Sequence, residues 1–348
     1  HNTKSASKSI ISALTGIALE KKWIKSPDQT IQSLFPETLK NLKDPLKKKI
    51  TLRHLMTMTS GFNIADQSPE ANQVFFGPEP VKTLFGFSMA GEPGTKFNYL
   101  TPSMVIMSHI LKKTTGEDIK ELADEYLFKP LGIHDVQWKK DGTGLSFTDA
   151  VLTPLEMAKF GVLFLDNGKW QGKQLVPANW VKESTKIHVK TGEQDLGDYG
   201  YWWWRKSLHL KSPEQSIDTF MAMGWGGQCI YVIPGWNMVV VTTGADLGAT
   251  MKAVHQFIIP SVQSKKPLPN NPNTAKALKA TTAQLQKGTS NRTPIAPHPP
   301  LSKKLNGKTY TFAPNNFGLL GMTFHFADKT CYLSVKHERG VFKKMEIG

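Results

Sequence analysis

Apolar residues recur at helical spacing over most of the first half of the chain. Ile10, Ile11, Leu14 and Ile17 follow this spacing and predict a helix over 5–22. Further helices are predicted where a capping residue or proline opens an apolar run and glycine or proline follows it. These segments are 52–58, 103–114, 118–128, 154–168 and 177–185.

The pattern changes to strands in the second half of the chain. Residues 199–205 are aromatic and strand-like, and the apolar runs 228–233 and 238–243 flank a turn cluster, which predicts a β-hairpin. Residues 249–262 predict a helix packed on that sheet. Helices followed by a hairpin and another helix indicate a mixed α/β (α+β) fold with an antiparallel sheet rather than regular βαβ repeats.

A change in composition divides the chain. Residues 263–302 are rich in proline, asparagine, lysine and threonine and predict a linker, with one short helix near 274–286. The four alternating segments KTYTF, MTFHFA, CYLSVKHE and VFKKMEI follow and predict a small β appendage. We therefore expect one domain over 1–262, the linker, and a C-terminal β segment over 303–348.

The composition permits a large core and disfavours several classes of protein. The chain has 348 residues, of which 39% are hydrophobic, and its two cysteines exclude a disulfide-stapled scaffold and a four-cysteine zinc site. We expect Cys229 and Cys331 to be buried thiols rather than a bridge. No apolar run reaches the roughly 18 residues of a membrane span. His54, His109 and His134 lack the paired spacing of metal ligands.

The net charge of +15 allows attraction to polyanions. The lysines are scattered along the sequence, however, and no nucleic-acid reader motif accompanies them. We interpret them as solvated faces and predict no nucleic-acid partner. A polyanion-binding surface protein remains an alternative that rests on charge alone.

The chemistry begins with Ser5 and Lys8, an S-x-x-K spacing at the start of the first helix. Residues three apart share a helix face, so the lysine amine can reach the serine oxygen and take its proton. The helix N-terminus adds partial positive charge and free N–H groups where an oxyanion would form. Alone, the spacing is weak evidence, because most chance matches are solvated helix positions. Ser7 is a competing hydroxyl, but no lysine or histidine stands three or four residues after it.

Longer stretches in the same order strengthen this interpretation: ITLRHLMTMTSGF (50–62), PGTKFNYLTPSMVIMSHILKKTTG (93–116), LFKPLGIHDVQW (127–138) and LTPLEMAKFGVLFLDNGKWQGKQLVPANWV (152–181). Together they resemble the serine β-lactamase/penicillin-recognising hydrolase family, in its class C-like branch of esterases, D-amino peptidases and 6-aminohexanoate-oligomer hydrolases. The segments YGYWWW (199–204) and AMGWGGQCIYVIPGWNMVVVTT (222–243) favour the oligomer hydrolases. The resemblance covers about residues 1–262 and implies a β-lactamase-like fold with an all-helical subdomain.

The resemblance assigns roles by position. Ser5 matches the acylated nucleophile, Lys8 its partner lysine, and Tyr99 the phenol of the Tyr-x-Asn element that relays protons to the leaving group. Without the flanking match, Tyr99 would be interpreted as a packed aromatic residue before a helix. The third position of that element is Thr101 instead of asparagine. Threonine keeps a hydroxyl donor but loses the amide, which disfavours a lactamase more than an esterase or linear amidase.

The third family element matches the stretch Gly224, Trp225, Gly226, Gly227, Gln228. The resemblance implies that a backbone N–H near Trp225 joins that of Ser5 as an oxyanion hole. Glycines let a backbone approach a ligand closely. The cationic side chain usual in this element is missing, which removes the ordinary anchor for a β-lactam carboxylate.

A literal Lys190-Thr191-Gly192 also occurs, but no strand pattern follows it, and we interpret it as a surface loop.

The aromatic run Tyr201, Trp202, Trp203, Trp204 would alternate faces in a strand. One set would then pack in the core, and the other could line an acyl-substrate cleft. We expect both sets in the core.

The favoured hypothesis is a serine hydrolase that acts through an acyl-enzyme on a carboxylic ester or linear amide, with weak β-lactam hydrolysis as a lesser activity. Its partner would be a small-molecule acyl substrate, and no metal or cofactor is required. The alternative is a non-catalytic or penicillin-binding-like member of the same fold.

Family members usually carry strands and a helix before the nucleophile. We therefore expect those N-terminal strands to be absent from this sequence and the C-terminal β segment to be incomplete. The resemblance also implies a periplasmic or secreted protein, while the oligomeric state stays open.

Overall fold

The computed structural model describes residues 1–209, 216–262, 264, 268–286, 300–313, 315, 318–327, 330–337 and 340–346. It divides into two compact units, His1–Pro267 and Leu268–Gly348.

The described residues form α-helices and short strands in alternating groups. The helices are α1 Ser7–Glu20, α2 Ile31–Leu34, α3 Pro45–Lys48, α4 Leu52–Met56, α5 Pro69–Phe76, α6 Pro80–Gly86, α7 Pro102–Thr115, α8 Ile119–Ala123, α9 Pro154–Leu165, α10 Ala178–Ser184, α11 Leu247–Ala253, α12 Ile259–Ser261, α13 Pro272–Gln286 and α14 Pro300–Leu305. The strands are β1 Lys139–Lys140, β2 Ser146–Thr148, β3 Lys169–Trp170, β4 Lys173–Gln174, β5 Asp198–Tyr199, β6 Trp204–His209, β7 Ser216–Gly224, β8 Gln228–Ile233, β9 Met238–Thr242, β10 Thr309–Thr311, β11 Leu319–Ala327, β12 Thr330–His337 and β13 Gly340–Glu346.

An antiparallel sheet of order β5-β6-β7-β8-β9 forms the framework of the first unit. Helix α9 packs against β8 and β9. The approach is close at Gly161, where an added Cβ would lie 2.6 Å from a methyl group of Val239. Helices α4, α5, α6 and α7 pack together as a helical subdomain. The mixed α/β (α+β) fold, with an antiparallel sheet flanked by helices, is confirmed.

Helix α1 is the central helix of the first unit, and every residue from Ser7 to Ala18 is buried. It contacts α7, α8, α10 and β7. Small residues make this possible: a Cβ at Gly16 would overlap the Trp180 ring at 2.1 Å, and the Trp180 indole N–H donates to the Ser12 carbonyl at 2.8 Å. Because α1 is packed on all sides, its first turn is held rigidly, and so are the side chains of the residues at its start.

Most of the predicted helices occur, and their predicted ends have the expected physical causes. Thr51 accepts a hydrogen bond from the His54 N–H in a capping box, and Gly116 ends α7 with a left-handed φ of 82°. The segment predicted as one helix over 118–128 is instead α8 continued by a π-helical turn, Asp124–Phe128.

The prediction of a continuous strand over 199–205 is wrong. The chain leaves the sheet after β5 and rejoins it at Trp204, because Trp202 adopts a left-handed φ of 63°. In between, the Tyr201 N–H donates to the Ser184 carbonyl and the Trp202 N–H to the Met56 carbonyl. These amides bond to helical segments instead of strands, so the alternation of faces does not apply.

The second unit contains α13, α14 and an antiparallel sheet of order β10-β11-β12-β13. The four alternating segments predicted here correspond to these strands, and the predicted short helix corresponds to α13. Of the predicted linker, residues 263, 265–267 and 287–299 lie outside the described residues.

Both cysteines are free thiols, and Cys229 is buried as expected, but the expectation that Cys331 is buried is wrong, since it is partly exposed. No helix in the described ranges combines the length and the apolar character that crossing a membrane requires.

We expect Thr153→Ala to destabilise the first unit. Thr153 caps α9: its hydroxyl accepts from the Glu156 N–H at 3.2 Å, and the Glu156 carboxylate accepts from the Thr153 N–H at 2.7 Å. Loss of such a cap costs about 1 kcal/mol in the free energy of unfolding. Urea unfolding followed by tryptophan fluorescence measures it, since every tryptophan lies in the first unit. Thr153→Ser keeps the cap and serves as the control; equal stability of Thr153→Ala and wild type would contradict the assignment.

Candidate active site

Ser5 lies in the 3-10 turn Lys4–Ala6 that leads directly into α1. The chain before it is anchored to residue 150: the N–H and the hydroxyl of Thr3 both donate to the Ala150 carbonyl, at 3.0 and 2.7 Å. Ser7 is buried, and its hydroxyl accepts from the Ala150 N–H at 3.1 Å. The competing hydroxyl therefore anchors the chain, while Ser5 faces a cleft.

Lys8 lies one turn further along and is 1% exposed. Its Nζ is 2.9 Å from the Ser5 Oγ, as the i, i+3 spacing predicts. The same nitrogen is 3.3 Å from the Thr101 Oγ1 and 4.7 Å from the centroid of the Tyr99 ring. Within the described ranges, then, the amine contacts two neutral oxygens and one ring face and pairs with no carboxylate.

Tyr99 reaches this centre through its ring. The ring stacks on Trp204 with centroids 6.1 Å apart and meets Tyr199 edge-on at 6.3 Å. Among the described contacts, the Tyr99 hydroxyl has no hydrogen bond to Ser5 or Lys8, although Tyr99 lines the same cleft as Ser5. The structure thus brings the three predicted catalytic residues together, with the phenol beside the amine and not bonded to the serine.

The neighbouring phenol of Tyr199 is held neutral. Burial raises the pKa of Tyr199 well above its usual range, and the potential negative charges of Tyr99 and Asp66 raise it further. Tyr199 therefore packs edge-on against Tyr99 as an uncharged side chain.

Thr101 connects the centre to a carboxylate that the sequence did not single out, Asp66. The Thr101 N–H donates to one oxygen of Asp66 at 2.7 Å, and the Thr101 hydroxyl donates to the other at 3.0 Å. Asp66 is half-buried in the loop before α5. It lies 35 positions from Thr101 and has no motif of its own, so no local signal in the sequence could have found it.

The glycine-rich stretch forms the turn between β7 and β8. At Gly224, an added Cβ would lie 2.2 Å from the Thr3 carbonyl oxygen, so the strand touches the segment that carries Ser5. Gly226 and Gly227 have left-handed φ values of 79° and 89°. Trp225 is 71% exposed and lines the cleft.

Two backbone donors are available at this cleft. Within the described part of the chain, neither the Ser5 N–H nor the Trp225 N–H donates to a protein acceptor. Free N–H groups at the start of a helix and in a glycine-rich turn are the donors from which oxyanion holes are built.

The cleft has a volume of about 600 Å³ and mainly apolar walls. Aromatic side chains contribute much of this surface, among them Phe75, Phe97, Phe147 and Trp204. All four side chains of the run 201–204 are buried in the core, as expected, and Trp204 alone of them also lines the cleft. A lysine and a carboxylate on its margin, Lys4 and Asp149, lie 3.7 Å apart.

The Lys190-Thr191-Gly192 stretch lies elsewhere. Lys190 is exposed and pairs with Asp198 at 2.6 Å, and none of the three residues lines the Ser5 cleft.

Two of the three histidines that lack metal-ligand spacing have structural partners, and the third is exposed. His54 Nδ1 accepts from the Thr51 N–H, His109 Nε2 lies 2.8 Å from an Asp141 oxygen, and His134 is exposed. Within the described ranges, no group of three or more acidic, histidine or cysteine side chains could hold a metal ion.

Comparison with known proteins shows which family the sequence matches. The family model described as Beta-lactamase matches residues 2–330. An uncharacterised protein of Alkalihalophilus pseudofirmus is 23% identical over 271 residues, which cover 70% of this chain and 73% of that protein. Lovastatin esterase of Penicillium rubens is 29% identical over 112 residues, which cover 30% of this chain and 28% of the esterase.

Among solved structures, a proposed 6-aminohexanoate-dimer hydrolase from Bacillus anthracis has a similar fold. The TM-score is 0.56 at 21% identity, over 84% of this chain and 74% of that one. At this identity the likeness concerns the fold.

We expect Gly224→Ala to destabilise the contact between β7 and the Ser5 segment. The new methyl would lie 2.2 Å from the Thr3 carbonyl oxygen and 3.0 Å from the Lys4 Cβ. Overpacking of this kind costs about 1–3 kcal/mol in the free energy of unfolding, which urea titration measures. Gly86→Ala is the matched control, since its Cβ meets nothing within 4 Å. Equal stability of the two variants would show that the strand does not press on this segment.

Proposed function

The chain belongs to the β-lactamase family, as its motifs predict, and we propose that it is a serine hydrolase that cleaves carboxylic esters or linear amides through an acyl-enzyme. The observation that carries the proposal is the 2.9 Å contact between the Lys8 Nζ and the Ser5 Oγ beside the cleft. The family of serine hydrolases with this fold includes esterases and amidases, and one relative with local similarity is named an esterase.

In the proposed acylation step, the substrate carbonyl oxygen accepts hydrogen bonds from the Ser5 and Trp225 N–H groups. Neutral Lys8 takes the hydroxyl proton while the Ser5 Oγ forms a bond to the carbonyl carbon. The bond from that carbon to the leaving oxygen or nitrogen breaks, and the leaving atom receives the proton. Tyr99, whose ring covers the Lys8 amine, is proposed to relay that proton.

Water completes the cycle. A water molecule attacks the ester formed with Ser5, loses a proton to the same basic centre, and releases the acid as the Ser5 hydroxyl is restored. Dividing the reaction in this way replaces one high barrier with two lower ones.

The walls of the cleft support the substrate class. A cleft of about 600 Å³ lined by aromatic side chains suits an apolar acyl group of a small molecule. Thr101 offers a hydroxyl where an amide would bind the side chain of a β-lactam, and that hydroxyl is already hydrogen-bonded to Asp66. The turn at Trp225 supplies no cation for a β-lactam carboxylate. Esters and linear amides therefore fit this site better than β-lactams.

Ser5→Ala should abolish both labelling by a fluorophosphonate probe and turnover of p-nitrophenyl butyrate. Removal of the nucleophile in hydrolases of this kind lowers kcat by about 10³-fold or more. Mass spectrometry of the labelled wild-type protein should place the adduct on Ser5. Ser7→Ala removes a hydroxyl of the same segment and should keep the labelling, even if the segment becomes less stable.

Two results would change the assignment. Unaltered turnover in Ser5→Ala would exclude Ser5 as the nucleophile. A wild-type protein that forms a lasting adduct without turning over the ester would instead be the penicillin-binding-like member of the fold.

Lys8→Met should slow acylation by about 10²- to 10⁴-fold, the usual contribution of a general base. Methionine keeps most of the volume of the buried side chain and removes the amine, so the fold should persist. The second-order rate of fluorophosphonate labelling measures the effect. Lys25→Met, at an exposed lysine just beyond α1, controls for the loss of one positive charge. Equal labelling rates in the two variants would contradict the role of Lys8.

A further inference from the structure

Asp66 reaches the catalytic centre through a single intermediate side chain. Both of its oxygens accept hydrogen bonds from Thr101, at 2.7 Å from the N–H and at 3.0 Å from the hydroxyl. The oxygen of that hydroxyl is in turn 3.3 Å from the Lys8 Nζ. Within the described ranges, Asp66 forms no ion pair, so its charge is not used in a salt bridge.

The direction of these hydrogen bonds follows from the chemistry of a carboxylate. An ionised carboxylate only accepts, and a threonine hydroxyl has one hydrogen to give. Because Asp66 takes that hydrogen, the Thr101 oxygen presents only lone pairs to Lys8. The Lys8 amine must therefore donate to Thr101. In the structure the Lys8 amine also donates to the Ser5 oxygen; once Lys8 is neutral, as the proposed acylation requires, its lone pair is left for the hydroxyl hydrogen of Ser5.

Without the carboxylate this order would be lost. A free Thr101 hydroxyl could turn its hydrogen toward the lone pair of Lys8 and compete with Ser5 for it. A wrongly directed proton at an orienting group lowers catalysis while leaving the geometry intact.

A second side chain, besides Asp66, joins the same two segments. The Asn98 side-chain amide donates to the carbonyls of Phe62 and Ile64, at 3.3 and 3.1 Å, and so links the loop before Asp66 to the Tyr99 segment. Asp66 is therefore not the sole brace between these two segments among the described contacts.

We propose that Asp66 is a positioning residue: it fixes the Thr101 hydroxyl as an acceptor and thereby keeps the lone pair of Lys8 directed at Ser5. This inference rests on the proposed function, because it assigns Asp66 a part in the activation of Ser5. It concerns a residue that touches neither the serine nor the lysine.

The test compares purified variants in p-nitrophenyl butyrate hydrolysis and in fluorophosphonate labelling. Asp66→Asn replaces one of the two accepting oxygens with an NH₂ group, so the side chain no longer only accepts hydrogen bonds from Thr101. We expect kcat to fall by about 10- to 100-fold, part of the full contribution of a general base, with KM little changed. Asp66→Glu keeps an acceptor-only group and should recover most of the activity.

The Thr101 hydroxyl provides the decisive comparison. Thr101→Val should lose as much kcat as Asp66→Asn, and Thr101→Ser should restore it. In the double variant that combines Asp66→Asn with Thr101→Val, kcat should be no lower than in Thr101→Val alone, since the group that Asp66 orients is gone. Asp124→Asn is the matched control: it removes a half-buried carboxylate, paired with Lys120 at 2.6 Å, that neither lines the cleft nor contacts Thr101.

The inference would be overturned if kcat is unchanged in Asp66→Asn. It would also be overturned if the fold-losses in kcat of the two single variants multiply in the double variant. If Asp66→Asn does not fold, Thr101→Val decides alone. Full activity in Thr101→Val would show that the hydroxyl through which Asp66 is proposed to act is not needed, and would overturn the inference. Ser5→Ala separates the two hypotheses: if it retains turnover, the proposed function fails. If it is inactive while Asp66→Asn is fully active, only the role of Asp66 fails.

Discussion

The proposed chemistry depends on one partly buried contact, the 2.9 Å approach of the Lys8 amine to the Ser5 oxygen. A lysine side chain has a flexible four-carbon stem, so its amine keeps such a position only if the surrounding residues exclude its other conformations. Here α1 is buried on all sides, and the amine is confined between the Tyr99 ring and the Thr101 hydroxyl. The helices and the strand that pack around α1 hold the Lys8 amine in this position.

Two attachments hold the serine in place. Thr3 and Ser7 bond to the backbone of Ala150, which fixes the chain on either side of Ser5. Gly224 lets strand β7 come within contact of the same segment, which a side chain would prevent. The same approach brings the Trp225 turn to the cleft, so one close packing contact supports both Ser5 and the proposed oxyanion donor at Trp225.

Local sequence patterns predicted a large part of the fold because their causes are local. Capping at Thr51, the left-handed glycine after α7 and the hairpin β8–β9 depend on neighbouring residues only. The run of four aromatic residues was predicted as a strand, and that failed for the opposite reason. The backbone amides of Tyr201 and Trp202 bond to distant helical segments, and no pattern within the run records those partners.

The sequence by itself determined the spacing of Ser5 and Lys8, the family and the order of the helices and strands, since each is carried by residues close together in the chain. Only the tertiary structure decided that Ser7 serves as an anchor, that Trp204 alone of its run lines the cleft, and that the ring of Tyr99 covers Lys8. It also revealed Asp66 behind Thr101. These contacts join segments tens of residues apart, and their geometry exists only once helices, sheet and loops have packed around a common core.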